Sequence, residues 1–302
     1  MLKNIFLSLL LISTMVFAKD VKISVITHGG DGSGFWGVVK NGINDAKKET
    51  GADVKSLNSP TGDLKEMADI ISAEVDKGVD AIVLSIPNRE ILGKAVKKIA
   101  QSGIPFITIN AGGDFGKKLG SIMHVGQSEY EAGYLAGKKA KKAGANTFAC
   151  INKDLNHVGL QRRCQGFADA LTVDNNMVGV DESNPSETKS KVKELIKSVD
   201  SILVTNAGTT QAVIEAIDEA NISKHIYVVN FDLNSDVLKG IEKGLIDFSI
   251  DQQQYLQGYM PIIVLNKMLN YGLMPSGDIN SGPGFITKDN YKVVEQYAGK
   301  YR

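Results

Sequence analysis

A two-lobed α/β fold is predicted by three features of this 302-residue sequence. Short, continuously apolar runs, of which Ile82, Val83 and Leu84 form one, alternate with longer amphipathic segments along most of the chain. Such alternation is typical of parallel sheets covered by helices on both faces. The units are too numerous for one open sheet of normal width, and the chain length suits two medium-sized domains. We therefore expect two doubly wound lobes.

The first half of the chain shows the alternation clearly. Strands are expected over residues 21–27, 54–57, 81–85 and 105–109. Helices are expected over residues 35–50, 63–77 and 89–102. A glycine follows each predicted helix, as is typical of helix C-termini, at Gly51, Gly78 and Gly103.

The second half repeats this order. Helices are expected over residues 128–143, 159–171, 187–198, 209–220 and 235–243. Strands are expected over residues 147–151, 177–180, 202–205, 226–230 and 248–250. No linker rich in proline and glycine separates the two halves, so we expect several short crossings between the lobes rather than one tether.

The first eighteen residues have the layout of a secretory signal peptide. Lys3 precedes an apolar run over residues 5–17, and Ala18 ends the segment before a cleavage point near Lys19. The run is short for a membrane-spanning helix, and a buried N-terminal helix is the alternative. No later apolar stretch is long enough to cross a bilayer, so we expect a soluble, exported product.

Composition and charge exclude some partners. The chain is 43% hydrophobic and 23% charged, which is ordinary for a globular protein. Lys plus Arg is 34 and Asp plus Glu is 34, so the formal net charge is zero. This balance gives no electrostatic reason to expect binding to nucleic acid or to an anionic membrane.

The sequence contains two cysteines, Cys150 and Cys164. In an oxidising compartment they are expected to form one disulfide, which would stabilise the fold by about 3 kcal/mol in the chain-entropy model. The alternative is two buried thiols that behave as small apolar side chains. Their spacing fits neither a CxxC redox pair nor a zinc site.

Polar and aromatic residues follow most of the predicted strands. In doubly wound sheets, ligands bind beyond the carboxyl ends of the strands, so these loops are the candidate site. Amides and carboxylates hydrogen-bond hydroxyl groups, and aromatic faces contact the C–H faces of sugar rings. His28 and His157 lie in these loops, where they either contact a ligand or hydrogen-bond within their loops. The loops cover residues 28–36, 110–111, 152–161, 206–207, 232–234 and 251–253.

A GxGxxG match lies at the start of the first predicted helix, but its residues do not favour dinucleotide binding. Phe35 and Trp36 would crowd the turn where a pyrophosphate approaches the backbone, and Leu57 and Asn58 stand where an acidic residue is expected. The four histidines show no HExxH spacing, and GxSxG and P-loop motifs are absent. We expect no catalytic residues, no metal site and no cofactor, and scattered charges such as Glu131 and Lys153 are expected on solvated faces.

Several segments together give a family resemblance. They cover residues 35–36, 103–110, 124–127, 163–167, 206, 230–232 and 251–253. In order and spacing the chain resembles the type I periplasmic binding proteins of the ribose/galactose class, which serve sugar ABC transporters. The resemblance runs over essentially the whole mature chain. It implies two Rossmann-like lobes with three crossover strands near residues 126, 251 and 282.

The resemblance also implies domain boundaries and site residues. An N-terminal lobe would comprise residues 19–125 and 252–281, and a C-terminal lobe residues 126–251 and 282–302. The stacking aromatic residues would be Phe35 and Trp36, and a cleft-facing arginine would fall at or near Gln161 to Arg163. The polar ligand contacts would be Ser33, Asn110, Asn206, Asp232 and Gln252, with His157 added from its loop position. Ribose-type members carry Asp-Arg where this chain has Asn110 and Ala111, which puts ribose in doubt.

These features predict a periplasmic protein, not an enzyme, that captures a small sugar or polyol between its lobes. The expected partner is an ABC-transporter permease in the inner membrane, and the expected state is a monomer. The alternative is a periplasmic sensor that signals to a chemoreceptor or histidine kinase through the same cleft. A repressor of this fold would need an N-terminal helix-turn-helix where the signal peptide stands, and turnover of a bound sugar would be needed to support an enzyme.

Overall fold

A computed structural model of the protein describes residues 21–29 and 34–302. The signal-peptide segment and Ser33 lie outside these residues. The strands, in chain order, are β1 (Lys22–Thr27), β2 (Asp53–Asn58), β3 (Ala81–Leu84), β4 (Phe106–Ile109), β5 (Met123–Gly126), β6 (Phe148–Asn152), β7 (Met177–Gly179), β8 (Ser201–Val204), β9 (Tyr227–Phe231), β10 (Phe248–Asp251), β11 (Ile279–Asn280) and β12 (Gly284–Thr287).

Helices connect most of these strands, as the apolar periodicity of the sequence requires. They are α1 (Gly34–Thr50), α2 (Leu64–Asp76), α3 (Arg89–Ser102), α4 (Gly113–Lys118), α5 (Glu129–Lys142), α6 (Val158–Leu171), α7 (Pro185–Leu195), α8 (Thr210–Glu219), α9 (Ser235–Lys243), α10 (Gln254–Tyr271) and α11 (Tyr291–Glu295). None of these helices, which span the described part of the chain, combines the length and apolarity needed to cross a bilayer.

The strands form two sheets of six. The first has the order β11-β5-β4-β3-β1-β2 and the second the order β12-β10-β9-β8-β6-β7. All pairings are parallel except that of β10 with β12. Both sheets therefore share the doubly wound order in which the direction of winding reverses beside the first strand. The predicted fold class, two doubly wound α/β lobes, is confirmed.

The chain passes between the two sheets at three places. Strand β5 ends at Gly126 in the first sheet, and α5, which follows, packs on α6 of the second lobe. Strand β10 ends at Asp251 in the second sheet, and α10, which follows, packs on α1 of the first lobe. The last crossing runs from β11 to β12.

Each lobe contains one very close pair of helices that meet at glycines. A Cβ atom on Gly42 of α1 would lie 2.2 Å from the Tyr255 carbonyl oxygen of α10. A Cβ atom on Gly166 of α6 would lie 2.1 Å from the Tyr130 carbonyl oxygen of α5. Because real Cβ atoms do not approach oxygen this closely, each backbone contact depends on the missing side chain. The α5–α6 contact also brings Glu129 of α5 to Arg163 of α6.

Cys150 of β6 and Cys164 of α6 form a disulfide, with an S–S distance of 2.09 Å and a Cα–Cα distance of 5.7 Å. Both residues are fully buried in the core of the second lobe. The bond ties the first strand of this sheet to the helix that follows it. It therefore restrains the loop between them, residues 153–157, which reaches the candidate site.

Removing this bond with Cys150→Ala and Cys164→Ala together should lower the free energy of unfolding by about 3 kcal/mol, since a loop of this size is no longer closed in the unfolded chain. Urea denaturation followed by circular dichroism measures the loss. As a control, a reductant should lower the midpoint of the wild type and leave that of the double variant unchanged. Equal midpoints for the wild type with and without reductant would show that the bond does not form in solution.

Candidate ligand-binding cleft

The loops that follow the strands of the two sheets meet across one cleft. His28 follows β1 of the first lobe and His157 precedes α6 of the second, and their Nε2 atoms lie 3.2 Å apart. The Val158 N–H donates to the Pro87 carbonyl oxygen at 3.1 Å, again between lobes. The carboxyl ends of both sets of parallel strands therefore face each other, as the general rule for ligand sites in such sheets requires.

Asn110 and Asp232 occupy equivalent positions in the two lobes. Asn110 follows β4 and Asp232 follows β9, and these strands have the same place in their sheets. Both have left-handed backbone conformations, with φ of 58° and 72°, and both side chains are buried. Asparagine and aspartate tolerate this conformation better than other residues, and it turns each side chain out of the strand direction. Backbone strain of this kind is common where side chains are aimed at a ligand.

Asp232 is the central hydrogen-bond acceptor on the second-lobe side of the cleft, which we call the wall. Gln252 donates from Nε2 to Asp232 Oδ1 at 2.6 Å, and Gln254 donates to the same oxygen at 3.4 Å. Burial raises the pKa of Asp232 to about 6, although the positive charge of Arg163 and the Gln252 hydrogen bond act in the opposite direction. The carboxyl is therefore mostly ionised at neutral pH and accepts hydrogen bonds only.

The backbone of Asp232 is held as firmly as its side chain. Its carbonyl oxygen accepts from Asn230 Nδ2 at 2.8 Å and from Ser249 Oγ at 2.6 Å. Its N–H donates to the Ile250 carbonyl oxygen at 2.8 Å. All three partners are buried in the second sheet. The carboxylate is thus presented in one fixed orientation, which reduces the ordering cost of binding.

Further buried polar atoms in these strand-end loops have no partner in the described part of the chain. Gln252 Oε1, Gln254 Oε1 and Thr205 Oγ1 are buried and have no hydrogen-bond partner among the described residues. Thr205 follows β8, which neighbours β9 in the sheet. Leaving buried polar atoms unpaired is unfavourable, so groups of them in one wall usually mark a place for a ligand or water. A wall rich in acceptors favours a ligand that donates several hydrogen bonds.

Arg163 lies behind this wall, in contact with protein groups. Its Nε and Nη2 atoms donate to Glu129 at 2.6 Å and 2.9 Å, and Nη1 donates to the Thr205 carbonyl oxygen at 2.6 Å. The guanidinium group also stacks on Phe231, 4.2 Å from the ring centroid. With 3% of its surface exposed, Arg163 supports the segments that carry Thr205 and Asp232. These bonds show that Arg163 supports the wall, and its ligand contact stays a prediction.

Gln161 lies two residues closer than Arg163 to the N-terminus of α6, in the region where the arginine was expected. Its Nε2 donates to the Leu155 carbonyl oxygen at 2.6 Å, in the loop before the helix. Ser33, the remaining first-lobe polar prediction, lies outside the described residues.

Asn206 joins an ion pair that the sequence analysis missed. Its Nδ2 donates to Glu182 Oε1 at 3.3 Å, and its Oδ1 accepts from Thr209 Oγ1 at 2.9 Å. Glu182 in turn pairs with Lys153 Nζ at 2.8 Å. Lys153 was expected on a solvated face. It lies in a half-exposed ion pair with Glu182, which is connected to Asn206. Glu182 could have been suspected because it follows β7 closely.

Two aromatic residues begin α1 beside His28 on the first-lobe side. Phe35 and Trp36 occupy the first turn of α1, with ring centroids 4.9 Å apart. Trp36 also meets the His28 ring edge to face at 4.8 Å. Both aromatic residues are partly exposed and pack on the core of the first lobe. Trp36 and His28 thus give the first-lobe side of the cleft an aromatic surface, opposite the hydrogen-bonding groups of the second lobe.

His157 has a structural role at the edge of the cleft. Its Nδ1 accepts from the backbone N–H groups of Gly159 and Leu160 at 3.1 Å and 3.3 Å, which caps α6. Burial lowers the pKa of His157 to about 4, and the nearby positive charge of Arg163 acts in the same direction. The ring is therefore neutral at physiological pH.

The polar cleft residues described above interact through hydrogen bonds. Within residues 21–29 and 34–302, no three or more His, Cys, Asp or Glu side chains are grouped so that they could hold a metal ion.

Several known proteins are similar to this chain in sequence or in structure. The xylose/arabinose-binding protein of Sulfolobus acidocaldarius is 25% identical over 283 residues, which cover 85% of this chain and 70% of the relative. An ABC transporter periplasmic-binding protein of Escherichia coli is 24% identical over 280 residues, which cover 82% of each chain. A carbohydrate transporter from Acidothermus cellulolyticus, crystallised with myo-inositol, is 29% identical with a TM-score of 0.85, covering 93% of this chain and 99% of that chain.

A family description, the periplasmic binding protein domain, matches residues 23–273. The match includes both sets of strand-end loops that form the cleft, and it confirms the resemblance found in the sequence. The chain belongs to the periplasmic binding protein domain family.

Proposed function

We propose that this protein captures a small sugar or polyol between its lobes in the periplasm and delivers it to an ABC-transporter permease. The observation that carries the proposal is the buried Asp232 carboxylate, bonded to Gln252 and Gln254 and flanked by unpaired buried acceptors. A neutral ligand with several hydroxyl groups supplies the donors that this wall lacks, without bringing a second charge into it.

The two sides of the cleft support a ring-shaped ligand. Phe35 and Trp36 offer apolar faces for C–H groups, while Asp232, Gln252 and Asn206 on the other side serve its hydroxyls. The relatives described above include a xylose/arabinose-binding protein and a carbohydrate transporter crystallised with myo-inositol. Pentoses and cyclic polyols are therefore the first ligands to test.

A thermal-shift screen tests the proposal. The panel should contain myo-inositol, D-xylose, L-arabinose, D-ribose and D-galactose, with amino acids as negative controls. A ligand present at 100 times its dissociation constant should stabilise the protein by about 2.7 kcal/mol and raise its melting temperature. A shift with an amino acid and none with any sugar or polyol would contradict the proposed ligand class.

Trp36 should report binding directly. It is the single tryptophan of the chain and lies beside His28 at the cleft. We expect a saturable change in tryptophan emission during titration with any sugar that shifts the melting temperature, because the ligand alters the surroundings of the indole. A sugar that binds by native mass spectrometry and leaves the emission unchanged would remove Trp36 from the site. Titration with a non-binding sugar of the panel is the control.

A further inference from the structure

A chain of hydrogen bonds crosses the cleft through two histidines. In the second lobe, Gly159 and Leu160 donate their backbone N–H groups to His157 Nδ1. His157 Nε2 lies 3.2 Å from His28 Nε2, and His28 Nδ1 lies 2.8 Å from Ser85 Oγ in the first lobe. These contacts connect the N-terminus of α6 with the ends of β1 and β3.

The bonding partners determine where each imidazole carries its proton. Because a backbone N–H can only donate, His157 Nδ1 is an acceptor, and the proton of the neutral ring is on Nε2. That Nε2–H group donates to His28 Nε2, which must therefore be unprotonated. The proton of His28 is then on Nδ1, from which it donates to Ser85 Oγ. One arrangement of protons satisfies the whole chain.

A further proton on either ring would place two donors face to face in this chain of hydrogen bonds. A proton on His28 Nε2 would face the N–H group of His157 at 3.2 Å, and a proton on His157 Nδ1 would face two backbone N–H groups. Two donors facing each other repel, and a second cation beside the first adds to that repulsion. Protonation of His28 Nε2 is therefore incompatible with the contact between the lobes, and protonation of His157 Nδ1 is incompatible with its cap on α6.

We propose that the His28–His157 pair is a proton-sensitive latch that holds the lobes together at neutral pH and releases them in acid. The proposal adds regulation to the cleft of the proposed function, but lobe closure can be measured without a ligand. The nearby Val158–Pro87 backbone bond does not titrate, so it continues to favour contact after the latch is broken.

Burial and nearby charged side chains determine the pKa values of His28 and His157. Burial lowers the pKa of His28 well below its usual range, and both His157 and Lys153 add to this effect. Burial is also the main cause of the lowered pKa of His157. Among the described residues, two positive and two negative side chains act on His157 from the second lobe: Lys153, Arg163, Asp154 and Glu129.

The direction of the pH effect follows from these shifts. A histidine with a lowered pKa in the closed form favours closure above its ordinary value of about 6.5 and loses that contribution as pH falls toward 4. The ratio of open to closed protein should therefore rise between about pH 8 and about pH 5.

Nitrogen NMR of the histidine side chains tests the proton positions. With only four histidines in the chain, the ¹⁵N–¹H correlations can be assigned by single substitutions. At about pH 8 we expect the Nε2–H tautomer for His157 and the Nδ1–H tautomer for His28. Fast averaging of tautomers at both rings in ligand-free protein, as in exposed histidines, would overturn the proposal.

A distance measurement between the lobes tests the release. Spin labels at Lys94→Cys on α3 and Asp218→Cys on α8, both exposed, report opening in ligand-free protein. His157→Asn removes the contact with His28, while asparagine still caps the helix. We expect the wild-type distance to lengthen between about pH 8 and about pH 5, and His157→Asn to show the longer distance at both values.

His225→Asn is the matched control, because His225 pairs with Asp247 outside the cleft. It should retain the wild-type pH response. A pH response in His157→Asn equal to that of the wild type, or no pH response in the wild type, would overturn the latch. Because no ligand is present, either result leaves the proposed sugar-binding function to its own screen.

Discussion

Replacing Asp232 with alanine is expected to weaken binding of the sugar or polyol by about 100-fold or more. Hydrogen bonds to a charged group contribute about 1.5–3 kcal/mol each, and the carboxylate can accept more than one ligand hydroxyl. The loss should be larger than for any other single polar residue of the cleft, because Asp232 is the charged group at the centre of the wall. Isothermal titration with a ligand identified by the thermal screen measures it.

The isosteric substitution Asp232→Asn should leave the ligand-free protein equally stable or more stable. Because burial raises the pKa of Asp232 above its ordinary range, the folded protein bears a cost for keeping this carboxyl charged at neutral pH. That cost is constant above about pH 6 and disappears as pH falls below it, which is the opposite of the histidine effect. Urea denaturation of Asp232→Asn and the wild type at neutral pH measures the difference.

Asp218→Ala is the matched control for binding, because Asp218 is an exposed carboxylate near the far end of α8. It should bind as the wild type does. Unchanged affinity in Asp232→Ala would remove this residue from the site. A loss of binding accompanied by unfolding would instead assign it a structural role.

Replacing Arg163 with methionine is expected to destabilise the fold by about 3–5 kcal/mol, because the change leaves the buried Glu129 carboxylate without its positively charged partner. The Glu129 side chain has 9% of its surface exposed, so water cannot replace the guanidinium group. Urea denaturation measures the free energy of unfolding. The nearby Arg162→Met, which removes an exposed arginine from the same helix, should change it by less than about 0.5 kcal/mol.

A second substitution separates support of the fold from ligand contact. Arg163→Met combined with Glu129→Leu removes both charges, so we expect it to recover most of the lost stability. If Arg163 supports the wall, the double variant should also recover measurable binding. Full stability in the single variant, together with lost binding, would show instead that Arg163 contacts the ligand.

The fold was predictable because its strands are buried on both faces. Continuous apolar runs and the glycines that end the helices locate most elements within a few residues. Helix α10 was missed because it is apolar around much of its circumference and contains Gly258 and Pro261, which obscure the helical period. Strand β5 was missed because its four residues include His124 and Gly126.

The site was predictable where a residue directly follows a strand. Asn110, Asp232 and Gln252 do so, Asn206 lies one residue further on, and the rule for doubly wound sheets points to all four. Gln254 reaches Asp232 only because Gln253 takes a left-handed conformation with φ of 53°. Local sequence gives no signal for that turn.

The Glu129–Arg163 pair depends on tertiary structure. The two residues are 34 positions apart and meet because α5 and α6 pack at Gly133 and Gly166. The family resemblance implied an arginine in this region, but its register on the helix decides whether it faces the cleft or the core. That register becomes apparent only when the helices are packed.

A crystal structure with the sugar or polyol that gives the largest thermal shift tests the central claim most directly. We expect the ligand to be enclosed between the aromatic residues Phe35 and Trp36 and the acceptors Asp232 and Gln252, with at least one hydroxyl donating to the Asp232 carboxylate. A ligand bound on an outer surface, or one in the cleft whose hydroxyls do not reach Asp232, would contradict it.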